Sequence, residues 1–165
     1  MENNDILIQK AGSDDLKEIL ALQKLAFQTE AEAHGNYDIQ PLKQTYESIC
    51  EDFDTYTFLK ATVNNRIIGS VKSKMNDGIV WIGKLIVSPN FRRKGLGKQL
   101  LKEVEKLYPD AIRFQLFTAA SSNHNIRLYE SVGYKLIGEF TDDEQAGLIL
   151  VEMAKEKNGN QNILA

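Results

Sequence analysis

The sequence has few of the residues that commonly hold metals or form disulfides. Cys50 is the single cysteine, and only 2 histidines occur in 165 residues. One cysteine cannot close an intramolecular disulfide, and no acidic or histidine cluster has the spacing of a metal site. The sequence therefore predicts no bound metal. Cys50 falls near the apolar face of a predicted helix with no base beside it, which favours a structural thiol over a nucleophile.

Long apolar runs and a strong excess of charge are also missing. No hydrophobic segment approaches the ~20 residues of a membrane-spanning helix. Residues 1–5 lack the basic start of a signal peptide. The formal net charge of −3 offers no extended basic surface for nucleic acid. We therefore expect a cytoplasmic protein with no membrane partner and no nucleic-acid partner.

The chain length suits one domain with a substantial core, which we place at 1–155, followed by a loose polar tail at 156–165. The hydrophobic periods and turn residues predict the elements of this domain. In chain order they are a strand at 6–8, a helix from 13 to 28, a loop at 30–40, a helix opened by Pro41, strands at 55–63, 66–74 and 79–87, a helix at 96–107, a strand at 112–117, a helix ending at 132, and strands at 134–140 and 148–154.

The strand at Ile79–Val87 is apolar on both faces, which places it in the middle of a sheet that is covered on both sides. Strict alternation puts Leu85 and Val87 on the face of Trp81, and Ile86 on the opposite face. The helix Leu96–Leu107 after it has an apolar stripe of period 3.6. A strand–helix–strand unit of this kind implies a right-handed crossover between parallel neighbours.

The join between this strand and this helix is rich in glycine and positive charge. Residues 92–98 carry four basic side chains, together with Gly95 and Gly97. The first N–H groups of a helix lack internal partners, and glycine lets the backbone approach a ligand closely. The pattern therefore predicts a phosphate-binding loop. The dinucleotide fingerprint fails because Leu100 replaces its third glycine, and no Gly-Lys-Ser/Thr of a nucleoside-triphosphate loop follows.

What remains is Arg92-x-x-Gly95-x-Gly97, which resembles the R/Q-x-x-G-x-G/A loop of the GNAT superfamily of N-acetyltransferases. In that family the loop holds the pyrophosphate of acetyl-coenzyme A. A second segment, at 122–134, resembles the family's N-x-x-x-x-x-L-Y-x-x-x-G-F/Y motif. Its Leu-Tyr pair, its glycine and its closing aromatic residue match, whereas Ser122 stands in place of the asparagine.

The resemblance implies an α/β fold, an α+β mixed sheet of about seven strands flanked by about four helices. It also implies acetyl-CoA as cosubstrate, with its pantetheine arm between the splayed ends of two central strands and an oxyanion donor at the Val87 N–H. The cofactor-binding residues that it implies are Leu85, Ile86, Val87, Arg92, Arg93, Lys94, Gly95, Leu96, Gly97, Lys98, Asn125 and Tyr129. Ser122, Asn123 and Asn125 stay open as alternatives for one polar contact, although only Asn125 lies one helical turn before Tyr129.

The resemblance makes Tyr129 the candidate general acid, because a phenol of pKa ~10 can protonate a leaving thiolate of pKa ~8.5. The base is unassigned. Some relatives place a glutamate on the central strand, but this strand has none, and Lys84 is a cation that we do not expect to serve. The weak base candidates are Glu30, Glu32 and His34, in the loop that the family uses around the acceptor, and a water chain is an alternative.

We therefore expect an enzyme that transfers an acetyl group from acetyl-CoA to a primary amine by direct attack in a ternary complex. The acceptor could be a small molecule or a protein amine, and a homodimer is left open. A non-catalytic acyl-CoA-binding or sensing module of the same fold is the alternative. The absence of a carboxylate on the central strand favours this alternative weakly, whereas Tyr129 speaks against it.

Overall fold

A computed structural model describes residues 5–157 of the chain. The strands are β1 (Leu7–Lys10), β2 (Thr57–Val63), β3 (Arg66–Asn76), β4 (Ile79–Val87), β5 (Arg113–Ala119), β6 (Lys135–Asp142) and β7 (Leu148–Glu156). The helices are α1 (Leu16–His34), α2 (Gln40–Lys43), α3 (Tyr46–Thr55), α4 (Leu96–Leu107) and α5 (Asn123–Ser131). The strands form one mixed sheet in the order β1-β2-β3-β4-β5-β7-β6. The mixed sheet of seven strands is confirmed.

The helices number five in the described residues rather than four, because the second predicted helix is broken. Pro41 lies in the first turn of α2, as expected, but α2 ends at Lys43. Thr45 then caps a new helix, since its side chain accepts a hydrogen bond from the Ser48 N–H at 3.1 Å. α3 continues to Thr55, which delays the start of β2 by two residues relative to the prediction.

The predicted loop at 30–40 is wrong for its first part, because α1 continues to His34. The segment after Gln28 alternates glutamate with alanine, and both are good helix formers. The helix ends at Gly35, which adopts a left-handed conformation (φ 66°) that costs glycine little. Glu30, Glu32 and His34 therefore lie on the last turns of a helix and not in a loop.

β4 lies at the centre of the sheet, as predicted. It pairs antiparallel with β3 and parallel with β5. One face carries the α4-side core, which is built around Leu100, Leu101 and Val104 of α4. The other carries the α1-side core, in which α1 and α3 pack on the sheet around Leu16, Ile19 and Ile49 with Cys50 at its margin.

A bulge interrupts β4. Ser70 of β3 lies opposite Ile86, but Lys72 lies opposite Gly83, so two steps along β3 match three along β4. Lys84 supplies the extra residue and takes a left-handed conformation with φ 50°. A single inserted residue reverses the faces of all residues after it, because side chains alternate with a period of two.

The predicted faces of β4 are wrong beyond this bulge. Leu85 and Val87 pack on the α4-side core, together with Val80 and Ile82. Ile86 instead belongs to the α1-side core. Strict alternation gives the opposite assignment for all three residues after the bulge.

The C-terminal strand reaches two residues further than predicted, and one residue beyond the predicted domain boundary at 155. β7 ends at Glu156, and the Lys157 N–H donates to the Ile112 carbonyl at 3.0 Å, so 156 and 157 pack with the sheet. The rest of the predicted tail, 158–165, lies outside the described residues. Within 5–157, no helix is both long and apolar enough to cross a membrane.

Candidate active site

The site begins where β4 and β5 separate. Their pairing runs from Ile79 opposite Arg113 to Ile82 opposite Leu116, yet both strands continue beyond that point. Past Ile82, no strand in the described part of the chain pairs with β4 on this side. The gap leaves backbone N–H and C=O groups of β4 available to an extended ligand, as a missing strand would use them.

A cavity of about 490 Å³ opens at this gap. Apolar side chains such as Phe27, Ile39 and Phe117 form part of its wall. Its polar lining comes from six segments: Glu30, His34 and Asn36 at the end of α1, Gln40 and Lys43 of α2, Lys84 of β4, Thr118 of β5, Asn125 and Tyr129 of α5, and Asp142, Glu144 and Gln145 at the turn between β6 and β7. Their convergence on one apolar cavity is typical of a ligand site.

The N-terminus of α4 lies beside the same gap. Gly95 occupies the N-cap position with φ 81°, and Arg93 before it has φ 64°. Among the described residues, no side chain caps this helix, and its first internal hydrogen bond is donated by Gln99 to the Gly95 carbonyl at 3.1 Å. The N–H groups of 96–98 therefore have no partner within the helix and can donate to an anion.

The two glycines of this loop have different roles. Within residues 5–157, a Cβ on Gly95 would meet nothing within 4 Å, so this position requires glycine for its left-handed backbone. A Cβ on Gly97 would lie 3.1 Å from Cδ2 of Leu128. Gly97 therefore lets α4 pack closely against α5, a role that the loop motif alone does not indicate.

The basic side chains of the loop also differ in burial and in their contacts. Arg92 is half-buried, and its Nη2 donates to the Ala26 carbonyl of α1 at 3.1 Å, which fastens the loop to that helix. Arg93, Lys94 and Lys98 are exposed and can approach a phosphate from solvent. Their individual contributions are expected to be modest because water screens them.

The structure brings Asn125 and Tyr129 together on the cavity side of α5, as their spacing predicts. Ser122 is buried and Asn123 is exposed, and neither lines the cavity. Tyr129 is 7% exposed, and its ring centroid lies 6.1 Å from that of Tyr134. Burial, together with the negative charge of Glu30, raises the pKa of Tyr129 above its ordinary value, so its hydroxyl keeps its proton at neutral pH.

The three candidates for the base, Glu30, Glu32 and His34, lie on different faces of α1. Glu30 and His34 are four residues apart and both line the cavity. Glu32 does not line it. Its Oε1 instead accepts a hydrogen bond from Gln28 Nε2 at 3.4 Å on the exposed face of α1.

Sequence reasoning missed Lys84. The β4 bulge turns this side chain into the cavity, where its Nζ donates to Gln40 Oε1. Burial first, and the positive charge of Lys72 second, lower the pKa of Lys84 to about 7, against the opposing effect of the Asp52 carboxylate. The expectation that Lys84 is an ordinary cation uses the pKa of an exposed lysine and does not include this burial.

The sequence also gives no indication that the acidic turn between β6 and β7 lines the site. The Gln40 N–H donates to Gln145 Oε1 at 2.7 Å, and Asn36 Nδ2 donates to the Gln145 carbonyl at 3.5 Å. Together these bonds hold the segment between α1 and α2 against the turn and close one wall of the cavity. No local signal indicates a contact between residues so far apart in sequence.

A model of the acetyltransferase (GNAT) domain matches residues 25–157. The chain belongs to the GNAT family.

A curated relative of this GNAT chain is the UPF0157 protein YqkA of Bacillus subtilis (strain 168), which is 29% identical over 119 residues. That alignment covers 72% of this chain and 34% of YqkA, so the chain spans about a third of the length of the relative.

Solved structures share the whole fold. The PaiA N-acetyltransferase of Thermoplasma acidophilum, in complex with coenzyme A, superposes with a TM-score of 0.75 at 19% identity over 93% of this chain and 99% of that one. The ribosomal-protein-S18-alanine N-acetyltransferase of Escherichia coli superposes with a TM-score of 0.74 at 16% identity, over 92% of this chain and 94% of that one. At these identities the likeness establishes a common fold.

The residues of this GNAT domain fit coenzyme A. The α4 N-terminus offers uncapped N–H groups, and Gly95 leaves open space where a side chain would stand. Three exposed basic side chains belong to the same loop, and a Cβ on Gly97 of this N-terminus would lie 3.9 Å from Cδ2 of Leu85, which lines the cavity at the β4–β5 gap. A diphosphate at the helix and an extended arm in the gap would satisfy both sets of unpaired backbone groups.

Proposed function

We propose that this GNAT domain transfers the acetyl group of acetyl-CoA to a primary amine, by direct attack while both substrates are bound. The observation that supports this most is that the uncapped α4 N-terminus lies beside Leu85 at the β4–β5 gap, where a cavity lined by Leu85 and Tyr129 opens. One ligand can span this path with its anionic end at α4 and its reactive end beside Tyr129.

The main chain holds most of the cofactor in this proposal. The N–H groups of 93–98 bind the diphosphate, and the exposed Arg93, Lys94 and Lys98 add positive charge. Leu96 contributes only its backbone, because its side chain is buried in the α4-side core. Backbone groups of Leu85 and Val87 bind the arm in the gap. The Val87 N–H is placed to stabilise negative charge on the acetyl oxygen.

Tyr129 supplies a proton to the departing sulfur. Its hydroxyl is buried beside the cavity and remains protonated at neutral pH, so it is ready to donate as the carbon–sulfur bond breaks. Asn125 lies one turn away on the same face and contacts the cofactor arm. The helix thus presents both a positioning amide and an acid to the reacting thioester.

The acceptor enters from the opposite end of the cavity, where acidic side chains are concentrated. Glu30, Asp142 and Glu144 line this part together with the apolar Phe27 and Ile39. Such a lining favours a protonated amine with an apolar portion, whether the amine belongs to a small molecule or to a protein.

A non-catalytic acyl-CoA sensor is the second candidate, and the lack of a carboxylate on β4 supports it. Release of free thiol from acetyl-CoA, measured across a panel of amines and set beside coenzyme A binding by calorimetry, separates the two. We expect turnover with at least one amine above the rate of hydrolysis. Tight binding without turnover on any amine favours the sensor, and absence of binding contradicts both.

A further inference from the structure

The position of Lys84 carries an inference that rests on the proposed function and extends it to the missing base. Lys84 is a non-glycine residue held at φ 50°, directly after a glycine that could have taken this conformation at lower cost. Strained residues persist where the surrounding structure fixes them, and they cluster at functional sites. The side chain at 84 is therefore the feature to explain.

The bulge decides where that side chain points. In a regular strand Lys84 would share the face of Val80 and Ile82, and its amine would enter the α4-side core. The bulge instead brings it to the cavity, at the place where β4 leaves β5. There Nζ donates to Gln40 Oε1. Among the described residues no carboxylate forms an ion pair with it.

The charges around Lys84 come from several elements. Lys72 of β3 is the like charge that acts on it, and Lys72 Nζ is itself paired with Asp52 Oδ2 of α3 at 3.0 Å. Because Asp52 is engaged by Lys72, its attraction for Lys84 is weakened. Burial and this arrangement bring the pKa of Lys84 to about 7, so a large fraction of its amine is neutral at neutral pH.

The remaining charged groups face the cavity from the other walls. They are Glu30 and His34 of α1, Lys43 of α2, and Asp142 and Glu144 at the β6–β7 turn. Lys43 is paired with Asp38 at 2.6 Å, so its charge is largely compensated. An acceptor ammonium attracted by the acidic groups would thus meet one neutral amine at the end of β4.

We propose that Lys84 is the general base of the acetyl transfer, taking the proton of the acceptor ammonium at its Nζ. The neutral Lys84 amine removes one proton from the ammonium and becomes charged. The acceptor nitrogen then bonds to the acetyl carbon as the carbon–sulfur bond breaks. Tyr129 protonates the sulfur and regains a proton from the acylated nitrogen, and Lys84 releases its proton to solvent. The balance is one amide, one free thiol and one proton.

The test compares two variants of Lys84. Lys84→Arg keeps the positive charge but cannot lose its proton at neutral pH, whereas Lys84→Met keeps a similar length and has neither a charge nor a basic nitrogen. Arginine and methionine are unbranched at Cβ, as lysine is, so both variants should carry the same backbone strain at position 84 as the wild type. For both variants we expect kcat/KM at pH 7 to fall by about 10²-fold or more. Coenzyme A affinity should stay within about twofold. The acidic limb of the wild-type pH profile, centred near 7, should disappear in both.

A second measurement determines the pKa of Lys84 directly, in the absence of catalysis. In the full chain labelled with ¹³C-lysine, the signal absent from Lys84→Arg should titrate near pH 7. A midpoint near the ordinary ~10.4 overturns the base assignment even if acetylation is observed. Wild-type kcat/KM in Lys84→Met, or an acetyl group found on Lys84 itself by mass spectrometry, also overturns it. Binding of acetyl-CoA without turnover of any amine by the wild type removes the proposed function, and the base role with it.

Discussion

The two ends of the site are built in different ways. The cofactor end, residues 92–98, is one short segment that presents main-chain N–H groups and exposed positive charge. The proposed acceptor end, comprising Glu30, His34, Lys84, Asp142 and Glu144, uses side chains that α1, β4 and the β6–β7 turn bring to one cavity. A backbone site depends on local conformation, whereas a side-chain site depends on register and burial. Substitutions should therefore affect the two ends in different observables.

The largest effect is expected where the two ends meet, at Tyr129. Tyr129→Phe should lower kcat by about 10²–10³-fold, because it removes the proton donor, and should leave coenzyme A affinity nearly unchanged. Steady-state kinetics combined with calorimetry measures both quantities. Tyr134→Phe is the matched control, since the buried Tyr134 hydroxyl has no hydrogen-bond partner in the described part of the chain and should be lost with little cost. Equal losses in the two variants would remove Tyr129 from the acid role.

The next effect concerns the cofactor end. Gly95→Asp should weaken coenzyme A binding by roughly 30–100-fold, because a carboxylate would occupy the N–H groups that bind the diphosphate and repel it. Gly95→Ala carries the same left-handed strain without charge, and should lose much less affinity. Calorimetric Kd values for the two variants test this. An unchanged Kd for Gly95→Asp would contradict phosphate binding at α4.

At the acceptor end, Gln145→Ala should raise the KM for the amine by about fivefold, a cost of ~1 kcal/mol for one lost hydrogen bond to the Gln40 N–H. Coenzyme A affinity should not change, because the hydrogen bonds of Gln145 within the described residues join it to Asn36, Gln40 and Asp142 at the other end of the site. A comparable loss in coenzyme A affinity would show that the two ends are not separable in this way.

The smallest expected effect tests which face of α1 lines the acceptor cavity. Glu30→Gln should raise the KM for a cationic amine by a few-fold, since it removes one charge from the cavity lining. Glu32→Gln, two residues away on the exposed face, should leave all kinetic constants within about 1.5-fold, as expected for a solvated surface change. The reverse order of effects would place the acceptor on the other side of the helix.

The sequence is informative wherever structure depends on neighbours along the chain. The bounds of β4 and α4 are as predicted, because an apolar run and a 3.6-residue stripe are local patterns. The family motifs likewise locate Gly95 and Tyr129. The end of α1 is harder to predict from the sequence. A polar segment at the end of a helix resembles a polar loop, and only the Gly35 cap marks where the helix stops.

The acceptor end could not be predicted, since it depends on tertiary register. The bulge at Lys84 is decided by how β3 and β4 pair, and no pattern within β4 marks it. The altered pKa of Lys84 follows from that burial. The bond between Gln40 and Gln145 joins segments that meet only after the sheet has formed.

One contact links the two ends mechanically. The Arg92 guanidinium rests on the Ala26 carbonyl, and in an α-helix that same oxygen also accepts the N–H of the residue four positions on, which is Glu30. A diphosphate that draws Arg92 toward itself must compete with this tether. Through this one oxygen the phosphate-binding loop is anchored to the helix turn that carries Glu30, so the spacing between the two ends of the site is fixed by the fold.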